Sequence, residues 1–201
     1  HGLKTPLAVL KNESEASRSG LSDVVKRQTD NMRRQVEHHL HRARAAARGQ
    51  VIGVITPVEE VITPLARTLE RIYRDKDIDF DIAVDYGLVF RGEKRDLEEI
   101  VGNLLDNACK WTKAKVRIRA NMDEVEGVMM TITVEDDGPG LEESQYKEAL
   151  KRGARLDETT PGTGFGLPIV DDLARAYKGN LKLAKASIGG LQVQLTLPGR
   201  I

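Results

Sequence analysis

Apolar positions fall into two textures along the chain. Over residues 1–48 they recur at helical intervals: Leu3, Leu7 and Leu10, then Leu21, Val25, Met32, Val36, Leu40, Ala43 and Ala47, with Ser19–Gly20 as the break. This spacing predicts two amphipathic helices joined by a tight turn, an antiparallel hairpin. A lone hairpin buries too little to be stable, so it needs a partner, most simply a second copy that completes a four-helix bundle. Residues 1–48 therefore read as a dimerisation hairpin. Gly49 suits the C-cap of its second helix, and residues 49–55 form a linker.

From residue 56 the texture changes. Val58, Val61, Ile62, Leu65, Leu69 and Ile72 predict a helix from Pro57 to Tyr73, in which Pro64 implies a kink or a late start. Ile78–Val84 alternates as a strand, Leu88–Phe90 is a second short one, and Glu93 or Lys94 opens a long helix. Val116–Ala120 and Val128–Val134 read as strands with Gly127 in the turn between them. Residues 136–165 read as mostly loop. A helix over Pro168–Tyr177 and strands over Leu181–Ala184 and Leu191–Leu197 follow, the last two around Gly189–Gly190. The expected class is α+β: the helical hairpin, then an α/β sandwich over residues 56–201, with mostly antiparallel strands against a few helices.

Composition narrows this little. The 201 residues are 40% hydrophobic and 31% charged, as in a globular protein with a sizeable core. Aromatics are only 4%, so the core is aliphatic and the single Trp111 stands out. Lys plus Arg and Asp plus Glu balance at 31 each, which offers no electrostatic case for nucleic acid or an anionic membrane surface. The one cysteine, Cys109, excludes an intramolecular disulfide and reads as a buried reduced thiol, as in a cytosolic setting. No apolar run approaches the roughly 20 residues that span a bilayer. The chain opens at His1 with helical patterning already under way, and reads as a piece of something longer.

Chemistry gathers in three stretches. Along the helix containing Asn103–Trp111, Asn103, Asn107 and Lys110 lie within about 60° of one another, opposite Leu97, Val101, Leu104, Leu105 and Ala108. Asn is a poor mid-helix residue, so two of them four apart ask for compensation. An amide oxygen suits a hard cation such as Mg²⁺, and a lysine one turn on suits a phosphate; a plain solvated face is the other reading. Gly162–Thr163–Gly164–Phe165–Gly166 leads into a helix, which fits either a backbone cradle for phosphate or a flexible loop. Asp136–Asp137–Gly138–Pro139–Gly140 follows a strand, which fits either a carboxylate facing an exocyclic amine or a simple turn. His38, His39 and His41 sit together without a nearby cysteine and read as helix surface rather than a metal site.

The order of these elements decides between the readings. His1-x-x-Lys4-Thr5-Pro6-Leu7, Asn103-x-x-x-Asn107, Asp136-x-Gly138-x-Gly140 and Gly162-x-Gly164-x-Gly166-Leu167 resemble the H, N, G1 and G2 boxes of bacterial two-component sensor histidine kinases. HGLKTPLAVL, GNLLDNACKW and VEDDGPG are similar to the matching stretches of PhoQ-like members. The resemblance covers nearly the whole chain. It implies a cytoplasmic catalytic core of a bacterial inner-membrane protein, with membrane-anchoring and sensor segments upstream. It also implies Mg²⁺ and ATP, a homodimer through residues 1–48, and transfer to an aspartate on a response regulator receiver domain. Residue by residue, it makes His1 the phosphoacceptor and Thr5 the residue used in dephosphorylating the regulator. Asn107 and Asn103 become metal ligands, Lys110 a phosphate contact, Trp111 the aromatic along the base and Asp136 the adenine-reading carboxylate. Gly138 and Gly140 shape that site, Arg152 approaches the γ-phosphate, and Gly162, Thr163, Gly164, Phe165, Gly166 and Leu167 border the triphosphate.

Two departures bear on activity. Gly2 stands where most histidine kinases place an acidic general base, and Ala149–Leu150–Lys151–Arg152–Gly153 replaces the phenylalanine-rich box. A degenerate nucleotide-binding scaffold of the same fold is therefore the alternative. ATP hydrolases of this fold use a carboxylate in the first motif; Asn103 holds that place here, and an amide is no general base.

Overall fold

The computed structural model describes residues 54–123, 128–151 and 164–201. The helical hairpin expected over residues 1–48, with His1 and Thr5, lies outside the described residues, as do Arg152, Gly162 and Thr163.

A two-residue strand, β1 (Thr56–Pro57), leads into helix α1 (Glu59–Ile72). Contrary to the late start that Pro64 suggested, the helix begins well before the proline. Pro64 is exposed in the second turn and forfeits only the bond to the Glu60 carbonyl, while Val61, Ile62, Ala66 and Leu69 bury a continuous stripe. After a 3₁₀ turn come β2 (Asp79–Val84), β3 (Val89–Phe90) and the long helix α2 (Lys94–Trp111). β4 (Lys115–Met122) and β5 (Met129–Asp136) follow. Where mostly loop was expected, a 3₁₀ turn (Glu143–Gln145) and a short helix α3 (Tyr146–Ala149) form. A reciprocal capping box between Glu142 and Gln145 starts them, a signal masked by the surrounding glycines. Helix α4 (Gly166–Ala176) and strands β6 (Asn180–Lys185) and β7 (Leu191–Arg200) close the chain.

The seven strands form one sheet in the order β1-β3-β7-β5-β4-β2, with β6 also paired to β7. Only β2 and β4 run parallel. Strand alternation gives the sheet two unlike faces. Val116, Ile118, Ala120, Met130, Ile132, Val134, Val193, Leu195 and Leu197 are buried, in one core with the inner stripes of α1, α2 and α4. The other face carries Arg117, Arg119, Thr131, Thr133, Glu135, Gln192 and Gln194. Helix α2 lies at the centre of the helical layer, touching α1, α4 and β5, with Leu97, Ile100, Val101, Leu104, Leu105, Ala108 and Cys109 buried. Asn103, Asn107 and Lys110 therefore project from the central helix of the described fold.

Candidate nucleotide site

The polar face of α2 is half-buried rather than solvated. The Asn103 Nδ2 donates to the Glu99 carbonyl at 2.7 Å, the i−4 bond that lets an asparagine sit mid-helix. Its Oδ1 faces the first residue of α4, where a Cβ added to Gly166 would lie 3.3 Å away. Asn107, one turn on, has no hydrogen-bond partner among the described residues. Lys110 Nζ is paired with Asp106 Oδ2, and the other oxygen of Asp106 accepts the Tyr73 hydroxyl at 2.8 Å. Burial, and then this bond, raise the Tyr73 pKa. The last turn of α2 is capped from outside by Lys76, whose Nζ donates to the carbonyls of Cys109 (2.9 Å) and Lys110 (2.7 Å). Beside them the Cys109 thiol is buried and its pKa is pushed up to about 12, chiefly by burial.

At the end of β5, Asp136 is only 3% exposed. Its Oδ1 accepts two backbone N–H groups, Gly138 at 2.9 Å and Leu191 at 3.3 Å. Oδ2 accepts none among the described residues. Burial raises the pKa of this carboxyl against the lowering effect of those two bonds. The glycines around it are required by proximity. A Cβ on Gly138 would come within 2.4 Å of the Trp111 carbonyl, and one on Gly190 within 2.1 Å of Asp136 Oδ1. Gly140, at φ 69°, lies against the Gly190 carbonyl. Gly164 takes a φ of 68°, and Phe165 caps α4, whose second residue, Leu167, is buried.

The fold thus brings three separated motifs onto one helix. Gly138 meets α2 at Trp111, Gly166 meets it at Asn103, and Asn107 and Lys110 lie between. The donors and acceptors suit a nucleotide and its cation: among the described residues, a buried carboxylate oxygen and the Asn107 amide without partners, and close backbone approaches at glycines.

Residue patterns alone missed part of the frame. Asp137 Oδ1 accepts the Thr112 hydroxyl (2.5 Å) and the Lys113 N–H (2.8 Å), and both its oxygens accept the Ala114 N–H at 3.2 Å. Burial pushes its pKa up, but these bonds outweigh it and hold the carboxyl at about 2. Asp137 therefore ties the α2–β4 connection to the end of β5. Gly190 was visible only as a turn residue, and nothing local in the sequence marks Tyr73 or Lys76.

Residues 92–201 match the family described as histidine kinase-, DNA gyrase B-, and HSP90-like ATPase. Sensor protein kinase CarS of Pseudomonas aeruginosa is 37% identical over 203 residues, covering 98% of this chain and 44% of that protein. Sensor protein PhoQ of Escherichia coli is 32% identical over 201 residues, covering 97% of this chain and 41% of that protein. The chain thus spans less than half the length of these curated relatives. Among solved structures, the mycobacterial sensor histidine kinase MprB superposes with a TM-score of 0.64 at 27% identity, over 73% of this chain and 97% of that one. Full-length ShkA in complex with AMPPNP, at 22% identity, shares the fold with a TM-score of 0.67, over 97% of this chain and 42% of that one.

Proposed function

We propose, for a chain that belongs to the histidine kinase-, DNA gyrase B- and HSP90-like ATPase family and within it to the sensor histidine kinases, transfer of the γ-phosphoryl group of ATP to His1. The observation that carries the reading is Asp136. One oxygen accepts two backbone N–H groups, and the other, on a residue only 3% exposed, has no partner among the described residues. Such an oxygen is costly unless a ligand donor completes it, and an exocyclic amine of adenine is such a donor. Trp111, whose carbonyl faces Gly138, lies along the base.

Asn107, with Asn103, holds Mg²⁺ through amide oxygens. When bound, the ion neutralises charge on the phosphates and fixes them for in-line transfer. Lys110 exchanges Asp106 for phosphate oxygens. The backbone N–H groups of residues 162–166 and the start of α4 border the triphosphate, and Arg152 meets its end. His1 attacks phosphorus through an imidazole nitrogen, and the group then passes to an aspartate of a response regulator. Thr5 serves dephosphorylation of that regulator, and residues 1–48 form the dimer. The parent protein is anchored in a bacterial inner membrane by segments upstream; among the described residues no helix is long and apolar enough to cross one.

Asp136→Asn tests the base reading. The substitution is isosteric and places an N–H₂ where the base needs an acceptor. Calorimetric ATP affinity is expected to fall at least about tenfold without loss of fold, and unchanged affinity overturns the assignment. Acid-labile labelling from γ-³²P-ATP in the full-length protein, with and without His1, tests the transfer. Thr5→Ala is expected to keep that labelling and lose regulator dephosphorylation; equal loss of both removes the division of labour. The second reading, a scaffold that binds nucleotide without turnover, is favoured by Gly2 and by the absent phenylalanine box, and predicts binding with no labelling.

A further inference from the structure

The polar face of the sheet holds one group that is not solvated. Glu135 points away from the core side, next to Asp136 on β5, yet it is only 6% exposed. The turn between β6 and β7 folds over it. The Ser187 N–H donates to Glu135 Oε1 at 2.8 Å and the Ser187 hydroxyl to Oε2 at 3.3 Å. Arg117 Nη1 reaches both Glu135 Oε2 (3.2 Å) and Ser187 Oγ (2.9 Å), while its Nε is held by Asp81 at 3.1 Å. Asp81, Arg117 and Glu135 are lateral neighbours in the strand register, so the chain of contacts crosses β2, β4 and β5 to reach the turn.

The same turn grips Asp136 from the other side of β5. Gly190 N–H donates to the Asp136 carbonyl at 2.9 Å, and Leu191 N–H to Asp136 Oδ1 at 3.3 Å. The turn is closed on itself by Ala186 N–H to Gly190 O (2.9 Å) and Gly189 N–H to Ala186 O (3.2 Å). Fixing Ser187 therefore fixes Gly190 and Leu191. A buried carboxylate spent on holding a turn is costly in itself, and removing its partners leaves a charge uncompensated. What the arrangement delivers is orientation: a hydrogen bond to a base weakens steeply with angle, so the acceptor must be held to a fraction of an ångström.

We infer that Glu135, Arg117 and Ser187 are positioning residues for base recognition, acting through the Ala186–Gly190 turn on Asp136. This rests on the reading of Asp136 as the adenine contact. The test is calorimetric titration of the full chain with Mg·ATP and Mg·GTP, using Glu135→Ala, Glu135→Gln, Ser187→Ala, Asp136→Asn and the Glu135→Ala/Asp136→Asn pair. Glu135→Ala is expected to weaken ATP about tenfold and narrow the preference over GTP, within the range of coupling between neighbours. Glu135→Gln, which keeps an oxygen for the Ser187 N–H, recovers most of the loss. In the Asp136→Asn background, adding Glu135→Ala changes affinity less than about twofold. Equal losses in both backgrounds overturn the inference, since they show a general loosening. So does full ATP affinity in Glu135→Ala while Asp136→Asn binds weakly, which spares the base reading. Full affinity in Asp136→Asn removes that reading and the inference together. If Glu135→Ala fails to fold, Ser187→Ala carries the same cycle from an exposed turn position, with about a threefold loss expected and no loss contradicting it.

Discussion

The two ends of α2 are built to opposite rules. At the N-terminal end, the Tyr177 hydroxyl donates to Asp96 and accepts the Glu93 N–H at 3.4 Å, while its ring meets Phe90 edge-on with centroids 4.8 Å apart. Burial, then the bond to Asp96, raise the Tyr177 pKa, as expected of a hydroxyl enclosed by protein. At the C-terminal end, backbone carbonyls are capped by Lys76, but among the described residues Asn107 has no hydrogen-bond partner and Lys110 is held only by Asp106, one turn back on the same helix. Protein interiors seldom leave polar groups unpaired. Among the described residues the C-terminal end is the less satisfied of the two, and on the proposed reading a ligand completes it.

The same contrast recurs in two consecutive residues. Asp137 is engaged by Thr112, Lys113 and Ala114 and strengthens the fold, whereas Asp136 keeps one oxygen without a partner among the described residues. Their pKa values move apart accordingly, Asp137 down and Asp136 up.

The sharpest way to break the comparison is Asn107→Ala. Since no partner among the described residues is lost, thermal stability is expected to move little while Mg·ATP affinity falls about a hundredfold, the upper range for hydrogen bonds to charged groups. Unchanged affinity in calorimetry removes the metal role. Tyr177→Phe, at the opposite end, is expected to cost about 1 kcal/mol in denaturant melts and to leave ATP affinity alone. A parallel loss of affinity would show that the two ends are not independent. The smallest effect concerns pH. Because the Asp137 carboxyl is held at about 2 in the folded protein, below its ordinary value near 4, its stabilisation is present above about pH 4 and fades as pH falls towards 2. The gap in melting temperature between the wild type and Asp137→Asn should therefore shrink over that interval. A gap constant across it would assign Asp137 no ionised role in the fold.

Much of this domain is legible residue by residue. The stripe Leu97, Val101, Leu104, Leu105 and Ala108 is buried as its spacing predicts, and the strand alternation in β4 and β5 separates core from polar face. Helix α4 begins at Gly166, two residues before the expected Pro168, because Pro168 fits the first turn, where no N–H is needed. The short helix at Tyr146–Ala149 was hidden because its start depends on a reciprocal cap between Glu142 and Gln145 rather than on an apolar period.

For the candidate site, sequence alone identified the chemical types and their order: two amides and a lysine on one helical face, a carboxylate at a strand end, and glycines before a helix. These follow from periods of 3.6 and 2, which are local properties of the backbone. Only the tertiary structure decided that Gly138 and Gly166 close on α2 at Trp111 and Asn103, that among the described residues Asp137 engages both oxygens and Asp136 one, and that Gly190 is needed against Asp136. Those outcomes depend on contacts between residues far apart in the chain, and no local period encodes which N–H a buried oxygen will meet.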